Sequence, residues 1–454
     1  MAPSNKKRRL YYSSSRIVGE GGQYRDWSGL HTDLLELILK KLSFHDVSRF
    51  KAVCSSWSNL ASTSRVVSSP WLMLPNLGHG CEYGSLASPS LDNFSRFFSL
   101  VEKQHYKYSS KQWFQEGVDD DYDDDDDSPE AWCVGSSHGW LVIMDHNASP
   151  LLLNPFSRRK IRLPLMKDVM LISDHLTVRD VQKSCISKAI VLFSEEKKDK
   201  NKTWVVVIYG SVSQKLAYCE IGDKSWTDLD GDQSLSYCDI LGHNGRLYAL
   251  SSSNTVEVWD LRSTDCGSFP AKVMNFVPES ALCLGLDDGK FSNDKYFGQS
   301  YLVESMGEFL LVTRIIGYYV DSDGELLDEA DLLTDEDTHP LVCPYRTVAF
   351  RVHKMDLTGN KWDNVDSLGD RALFLGGNES MSFSGSAFPE CDRNSIYFTD
   401  DYWDGMNGDY LYGGHDNGVY SLEAKTFKPL PYFDLFGDGD GKVDPPPFWI
   451  VPSI

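Results

Sequence analysis

The sequence predicts a mainly β protein that begins with a small all-α module, and three observations support this fold class. The only sustained helical pattern in the 454 residues lies between Trp27 and Trp57. After Pro70 the chain changes to short apolar runs separated by Gly, Asn, Asp and Pro, as strands and tight turns require. These runs recur about every 45 residues, a spacing typical of four-stranded β-propeller blades.

The first helix is predicted from an apolar stripe. Thr32 and Asp33 are suitable N-cap residues, and Glu36 follows Asp33 at the spacing of a capping box. The stripe is built from five residues at steps of one, three and four: Leu34, Leu35, Ile38, Leu39 and Leu42. This pattern indicates an amphipathic helix.

A second helical segment follows, and Ser43 with Asp46 opens it in the same way as the first. Its apolar residues repeat at steps of three and four: Val47, Phe50, Cys54, Trp57 and Ala61. About 35 residues are too few to bury a sufficient core alone, because domains below about 40 residues usually need a partner or a staple. We therefore expect residues 26–64 to dock on a partner, although an ordinary helical hairpin packed on its own protein is the alternative.

This module resembles the F-box, which docks a substrate receptor onto the small adaptor subunit of a cullin-RING ubiquitin ligase. The resemblance rests on the leucine helix, on Asp33 and Asp46, and on V-C-S-S-W, which ends at Trp57. His31 departs from the proline that many F-boxes carry there. The resemblance implies these adaptor-binding residues: Leu30, Leu34, Leu35, Ile38, Leu42, Val53, Cys54 and Trp57.

The repeating β-rich runs predict a propeller over residues 70–454. Y-C-E-I-G-D-K-S-W and H-K-M-D-L-T-G-N-K-W are similar turns whose tryptophans, Trp226 and Trp362, lie about three periods apart. Six blades fit the length best, and seven is the alternative. The run P-P-P-F-W-I-V-P from Pro445 is expected to pair with the first blade and so to remove a free edge.

The same region resembles the KIB type of plant F-box protein, whose C-terminal domain is a kelch-like propeller. The phrases that carry the resemblance include L-L-N-P-F-S-R-R-K-I-R-L-P from Leu152, Y-L-V-E-S-M-G-E-F-L-L-V-T-R from Tyr301 and N-S-I-Y-F-T-D-D from Asn394. Together with the F-box, the resemblance covers about nine tenths of the chain. It implies that the propeller recruits a target protein for ubiquitination.

Charged and polar segments interrupt or precede this pattern. Residues 1–25 are predicted to form a disordered basic arm. Lys6 to Arg9 has the composition of a nuclear import signal, and a solvated basic tail is the alternative. Two acidic insertions, 117–128 and 321–340, interrupt the propeller. We expect them to be solubilising loops, and attraction of a basic substrate segment is the alternative.

Composition narrows the possible partners and the compartment. The formal net charge of -22 repels nucleic acid and anionic lipid headgroups, and no apolar stretch is long enough to span a membrane. The ten cysteines have no C-x-x-C spacing and are expected to be reduced thiols. The sequence therefore predicts a protein of the nucleus, the cytoplasm or both.

Motifs that suggest catalysis or metal binding have simpler explanations. G-S-S-H-G at Gly135 to Gly139 matches a nucleophile elbow, but a strand follows it where a helix is needed, so the glycines are expected to form a β-turn. The Asp-rich run Asp434 to Asp444 lacks the ligand order of a calcium loop. We expect no catalytic residue, no cofactor and no metal.

An aromatic stretch from Tyr397 to Gly418 is the predicted substrate-binding region. It is long for a hairpin loop, and aromatic side chains on a loop held by a rigid scaffold are typical interface anchors. The candidates are Tyr402, Trp403, Tyr410 and Tyr412. The alternative is that these side chains cover the propeller's own core.

The two resemblances therefore imply a non-catalytic substrate receptor of a cullin-RING ligase, with the small adaptor, the cullin bound through it and a target protein as partners. Its mechanism would be proximity between target lysines and the conjugating enzyme. One alternative is a propeller that binds a small ligand or acts as an enzyme, with the helices as a cap. Another is a scaffold that contacts an adaptor without ligase assembly.

Overall fold

The structure is a computed structural model that contains two compact units, Met1–Val67 and Ser68–Ile454. It describes residues 27–39, 41–63, 69–74, 96–108, 131–166, 177–194, 202–210, 213–232, 234–261, 270–278, 295–318, 345–403, 406, 413–430, 443 and 446–453. The predicted basic arm 1–25 and the acidic insertions at 117–128 and 321–340 lie outside these residues. None of the described helices is long and apolar enough to cross a membrane.

The first unit is a small helical module. It contains a 3₁₀ turn at Trp27–Gly29, α1 (Thr32–Leu39), α2 (Phe44–Lys51) and α3 (Ser55–Thr63). The three helices bury a common core made of four side chains: Leu35, Leu39, Phe50 and Ala61. The Trp57 ring packs on the Phe50 ring at a centroid distance of 4.4 Å, which closes α3 onto α2.

The ends of the helices confirm part of the predicted capping. Ser43 caps α2, because its Oγ accepts the backbone N–H of Asp46 at 3.2 Å and donates to the Asp46 carboxylate at 2.8 Å. The predicted cap of α1 is wrong by one or two residues, since His31 precedes the first helical residue and its Nδ1 accepts the Asp33 N–H at 3.4 Å. The second helical segment divides into α2 and α3 near Ala52.

The second unit is a six-bladed β-propeller, as the sequence predicts. Blade 1 contains β1 (Trp71–Leu74), β2 (Arg96–Ser99), β3 (Gln104–Lys107) and the C-terminal β25 (Phe448–Ile450). Blade 2 contains β4 (Trp132–Ser137), β5 (Trp140–Met144), β6 (Pro150–Asn154) and β7 (Arg159–Arg162). Blade 3 contains β8 (Ile186–Phe193), β9 (Thr203–Tyr209), β10 (Lys215–Glu220) and β11 (Thr227–Asp228).

The other three blades follow in chain order. Blade 4 contains β12 (Tyr237–His243), β13 (Arg246–Ser251), β14 (Val256–Asp260) and β15 (Ala271–Phe276). Blade 5 contains β16 (Tyr296–Ser305), β17 (Glu308–Tyr318), β18 (Tyr345–Asp356) and β19 (Lys361–Asn364). Blade 6 contains β20 (Arg371–Leu375), β21 (Met381–Ser384), β22 (Ser395–Phe398), β23 (Gly418–Ser421) and β24 (Thr426–Lys428).

The ring is closed by the C-terminal strand, which confirms the prediction made from the run that begins at Pro445. β25 pairs antiparallel with β1, with Trp71 opposite Ile450 and Met73 opposite Phe448. β25 is thereby the innermost strand of a blade whose other strands come first in the propeller. The innermost strands contact one another in the order β25, β4, β8, β12, β16 and β21.

Blade 6 and a short helix depart from the predicted pattern of simple four-stranded units. In blade 6 the strand order is β21-β20-β22-β23-β24, so β20 pairs parallel with β22 and β21 is an additional inner strand. The helix is α4 (Val178–Ser184), which begins at a capping box between Thr177 and Asp180 and precedes β8. Sequence reasoning missed this helix because seven residues give too short a periodic pattern.

The propeller core lies between adjacent blades. Apolar clusters fill the contacts between blades 2 and 3, 3 and 4, 4 and 5, 5 and 6, and 6 and 1. Aromatic rings fill the contact between blades 1 and 2, where Phe156 packs edge-on against Trp71 and Tyr108. Strands such as β4, β6 and β9 are therefore buried on both faces, which explains their nearly continuous apolar runs in the sequence. The outermost strands β3, β7 and β24 are largely exposed.

Candidate functional site

The helical module presents an apolar face that its own core does not cover. Leu34, Leu37 and Ile38 are 50, 56 and 39% exposed, although they lie on the same helix as the buried Leu35 and Leu39. Their spacing of three and four residues puts them on one side of α1. Val53, in the turn between α2 and α3, is also 56% exposed. The apolar stripe of α1 is thus wider than the module can bury, which is typical of a docking surface.

The structure places the other predicted adaptor-binding residues differently. Leu35 is 2% exposed and lies in the module's core, so we assign it a packing role and correct its place among the contact residues. Leu30, Leu42 and Trp57 are partly buried against that core, and Cys54 is half-buried. Sequence reasoning missed Leu37, although its position three residues after Leu34 places it on the same side of the predicted helix.

The middle of the propeller is occupied by a five-residue segment between β20 and β21, Gly376–Ser380, which we call the central segment. Its first carbonyl accepts a hydrogen bond from Lys188 Nζ at 2.9 Å. The Glu379 N–H donates to the Ser136 carbonyl at 2.8 Å, and the Gly242 N–H donates to Glu379 Oε1 at 3.1 Å. These partners lie on the innermost strands of blades 3, 2 and 4, so the segment links three blades at the axis.

Two glycines allow this close approach. A Cβ at Gly377 would overlap the ring of Phe448 on β25, and a Cβ at Gly135 would overlap the carbonyl of Gly377. Asn378 is fully buried and donates its amide to the Glu379 carbonyl at 2.7 Å. Gly376 and Gly377 directly follow β20, and two consecutive glycines at the end of a strand indicate close backbone approach. Sequence reasoning did not use this signal.

One mouth of the propeller contains a cavity of about 370 Å³, which we call the mouth cavity. It lies at the turns that join the first two strands of blades 2, 4 and 5, and the central segment forms its floor. Its apolar lining includes Leu241, Met381, Phe383 and Val451. Its polar lining includes Ser137, His138, Glu304, Glu379 and Ser453.

The G-S-S-H-G motif lies at this mouth and has the predicted β-turn geometry. β4 ends at Ser137, His138 and Gly139 form the turn with positive φ values of 50° and 82°, and β5 begins at Trp140. The Ser137 hydroxyl donates to Glu379 Oε2 at 2.6 Å, and its oxygen accepts the Val191 N–H at 2.9 Å. A hydroxyl that donates directly to a carboxylate lacks the histidine base that activates a serine nucleophile.

The predicted aromatic substrate contacts Tyr402 and Trp403 lie at the opposite mouth, near the beginnings of the inner strands. Both side chains are half-buried. Tyr402 packs on Phe297 at 4.4 Å, and Trp403 packs on Trp132 at 5.8 Å, so both rings cover the propeller's own aromatic residues. Substrate contact by these two residues stays a prediction, and Tyr410 and Tyr412 lie outside the described residues.

A buried charged network connects blades 5 and 6 close to this mouth. Arg314 on β17 is fully buried; its Nη1 lies 2.9 Å from Asp401 Oδ1 and its Nη2 lies 2.7 Å from Asp416 Oδ2. Asp400 Oδ1 is 3.9 Å from the same guanidinium. Burial acts to lower the pKa of Arg314, but Asp416, Tyr301 and the other carboxylates raise it well above its usual value. The guanidinium is therefore a permanent cation between the blades.

This network gives a structural role to the T-D-D residues, Thr399 to Asp401, which end one of the phrases that resemble the KIB type. Burial raises the pKa of Asp400 and of Asp401, and the Arg314 charge opposes that increase. Within the described residues no group of three or more His, Cys, Asp or Glu side chains is arranged to hold a metal ion. The carboxylates are thus held by an arginine and by tyrosine hydroxyls.

Comparison with known proteins agrees with this architecture. The family model of the F-box domain matches residues 27–68. The family model of the KIB1-4 beta-propeller matches residues 97–421, which is well over half of the chain. A helical module with an exposed apolar face, joined to a six-bladed propeller, defines an F-box protein with a β-propeller domain. The chain belongs to the KIB1-4 β-propeller family and is a plant F-box protein of the KIB type.

Several relatives that align with this chain over most of their own length are named as F-box proteins. F-box protein SKIP23 of Arabidopsis thaliana is 26% identical over 457 residues, which span 94% of this chain and 96% of that protein. F-box protein At2g05970 of the same plant is 23% identical and spans 91% of this chain and 93% of its own. F-box protein At2g14290 is 27% identical, with coverages of 90% and 94%.

Proposed function

We propose that this protein is the substrate-receptor subunit of a cullin-RING ubiquitin ligase and performs no covalent chemistry itself. The F-box would bind the small adaptor and, through it, the cullin, while the propeller would bind a target protein. The observation that carries this proposal is the exposed apolar face of α1 on a module that matches the F-box. The rate advantage would come from proximity, since binding raises the local concentration of target lysines near the conjugating enzyme.

Adaptor binding tests the proposal directly. Leu34→Asp combined with Ile38→Asp is expected to weaken the complex with the adaptor by about 30-fold or more, because each change would bury a carboxylate in an apolar interface. Both side chains are exposed in the module, so the variant should unfold at the same temperature as the unaltered protein. Co-purification and titration with the adaptor measure the effect.

A matched control keeps the number of added charges the same. Leu357 and Val273 are 61 and 45% exposed and lie on the propeller, so Leu357→Asp with Val273→Asp should leave adaptor binding unchanged. If the α1 variant binds the adaptor as tightly as the control does, the adaptor-binding role of this face is wrong. If adaptor binds but no cullin joins the complex, a scaffold without ligase assembly is favoured instead.

A second function is favoured by one observation: polar side chains converge at the mouth cavity. A small-ligand binder or enzyme would need such groups, and the side chains of Ser137 and His138 both contact the Glu379 carboxylate there. The arrangement of these side chains does not suit hydrolase chemistry. The Ser137 hydroxyl donates to the Glu379 carboxylate, and His138 Nε2 lies 3.5 Å from the same carboxylate, so the serine does not donate to the histidine. Binding is therefore the better use of this cavity.

A further inference from the structure

The mouth cavity combines apolar walls with two carboxylates. Glu304 on β16 and Glu379 in the central segment both line it, and among its described lining residues there is neither a lysine nor an arginine. Phe383, Met381 and Leu241 supply the apolar wall. A cavity of about 370 Å³ is within the range of small-ligand sites and is large enough for one long side chain.

Glu379 is the more deeply placed carboxylate. Its side chain is 8% exposed, and Oε1 and Oε2 accept hydrogen bonds from the Gly242 N–H and the Ser137 hydroxyl. In the described part of the chain the basic residue beside it is His138, whose Nε2 lies 3.5 Å from Glu379 Oε2 and whose side chain is 51% exposed. Neutral donors thus fix the position of the carboxylate without cancelling a full charge, and each oxygen keeps a free lone pair.

Glu304 stands at the rim of the same cavity. Its side chain is 28% exposed; Oε1 accepts the Gly307 N–H at 2.7 Å, and Oε2 lies 3.8 Å from His243 Nδ1. The turn between β16 and β17 therefore orients this carboxylate as well. Both glutamates are held in position before any ligand arrives, which lowers the entropy lost on binding.

We propose that the mouth cavity binds a basic side chain, arginine or lysine, of a target protein. The aliphatic stem would lie along Phe383, Met381 and Leu241, and the cationic head would be placed between Glu379 and Glu304. This fits the amphipathic character of both side chains, which bury their stems and require an anionic partner for the head. The inference rests on the proposed substrate-receptor function and specifies the chemistry of its target.

Charge complementarity selects this occupant over an anionic one. The chain has a net charge of -22, so its average field attracts basic segments and repels phosphorylated or acidic ones. A phosphate in the cavity would face two carboxylates, and the described lining residues include neither a lysine nor an arginine to offset their charge. The serine hydroxyls in the lining could bind either kind of ligand, so the two glutamates determine that a positively charged ligand is preferred.

The test uses the full chain and small probes. N-acetyl-arginine amide and N-acetyl-lysine amide are titrated into protein labelled at its methionine methyl groups, and the signal of Met381 is followed by NMR. A saturable shift with a Kd on the order of 1 mM is expected for both probes. N-acetyl-citrulline amide, which has nearly the shape of the arginine probe without its charge, should bind at least tenfold more weakly.

Two variants test the two carboxylates. Glu304→Gln and Glu379→Gln should each weaken arginine-amide binding at least tenfold, whereas Glu423→Gln, an exposed glutamate on blade 6, should leave it unchanged. Should Glu379→Gln disturb the fold, Glu304→Gln still decides, because Glu304 is at the rim. Equal binding of citrulline and arginine amides, or full binding to Glu304→Gln, overturns the inference. Adaptor binding uses other residues, so its failure is a separate result.

Discussion

Replacing Arg314 with methionine is expected to lower the free energy of unfolding of the propeller by about 3–5 kcal/mol. Methionine fills a similar volume, so the expected loss comes from charge rather than from a cavity. Without the guanidinium, the carboxylates of Asp400, Asp401 and Asp416 would remain buried but would lose the cation that contacts all three. Chemical denaturation followed by tryptophan fluorescence measures the difference.

A control variant separates this effect from loss of an arginine in general. Arg246 is 44% exposed and lies 3.8 Å from Asp260 at a blade edge, so Arg246→Met should cost no more than about 1 kcal/mol. Equal losses for the two variants would mean that the network between blades 5 and 6 adds nothing special to stability.

The pH dependence of the Arg314→Met deficit provides a further check. Burial raises the pKa of Asp400 and Asp401, and removal of Arg314 takes away the charge that opposes this increase. A carboxyl whose folded-state pKa lies above its unfolded value contributes stability below the unfolded pKa and loses it as pH rises. The deficit relative to the unaltered protein should therefore be smaller at pH 5 than at pH 8.

Trp449→Ala is the second change with a large expected effect, about 3–5 kcal/mol of unfolding free energy. Trp449 is fully buried in the closing strand β25 and packs edge-on against Phe374 and Tyr397 of blade 6 at 5.0 and 6.1 Å. Its loss would leave a large cavity between the first and last blades. Thermal and urea unfolding of the full chain measure this prediction.

The comparison for Trp449→Ala is an apolar residue outside the core. Leu357 is 61% exposed, so Leu357→Ala should change the unfolding free energy by no more than about 0.5 kcal/mol. If Trp449→Ala and Leu357→Ala have the same unfolding free energy, the contact between blades 6 and 1 does not limit the stability of the ring.

Local patterns in the sequence were sufficient for the helices of the first unit and for the propeller architecture, but not for α4 or for the extra strand of blade 6. The 3.6-residue stripe around Leu35 and Leu39 predicts α1, and the Ser43 cap predicts α2, because both depend on neighbours along the chain. The recurring apolar runs predict the propeller, and the last run, which contains Phe448, predicts its closing strand. The strands nearer the middle of each blade are buried on both faces, so their apolar runs give a strong signal.

The contacts that assemble the two mouths were not accessible in the same way. Glu379 meets Ser137 and Gly242, and Arg314 meets Asp416, only after more than a hundred residues of intervening chain have folded. No local period marks such pairs. Leu37 is a different case, because its spacing from Leu34 is visible in the sequence. The sequence does not show, however, how much of an apolar stripe a small module buries in its own core.

The closing strand also has a consequence for synthesis of the protein. β1 is among the first propeller segments to leave the ribosome, yet its partner β25 is translated after every other blade. Until then blade 1 lacks its innermost strand, and the ring has an open seam with unpaired backbone groups. Nascent or prematurely terminated chains would thus carry a completed helical module and an unsealed propeller, a state suited to recognition by chaperones.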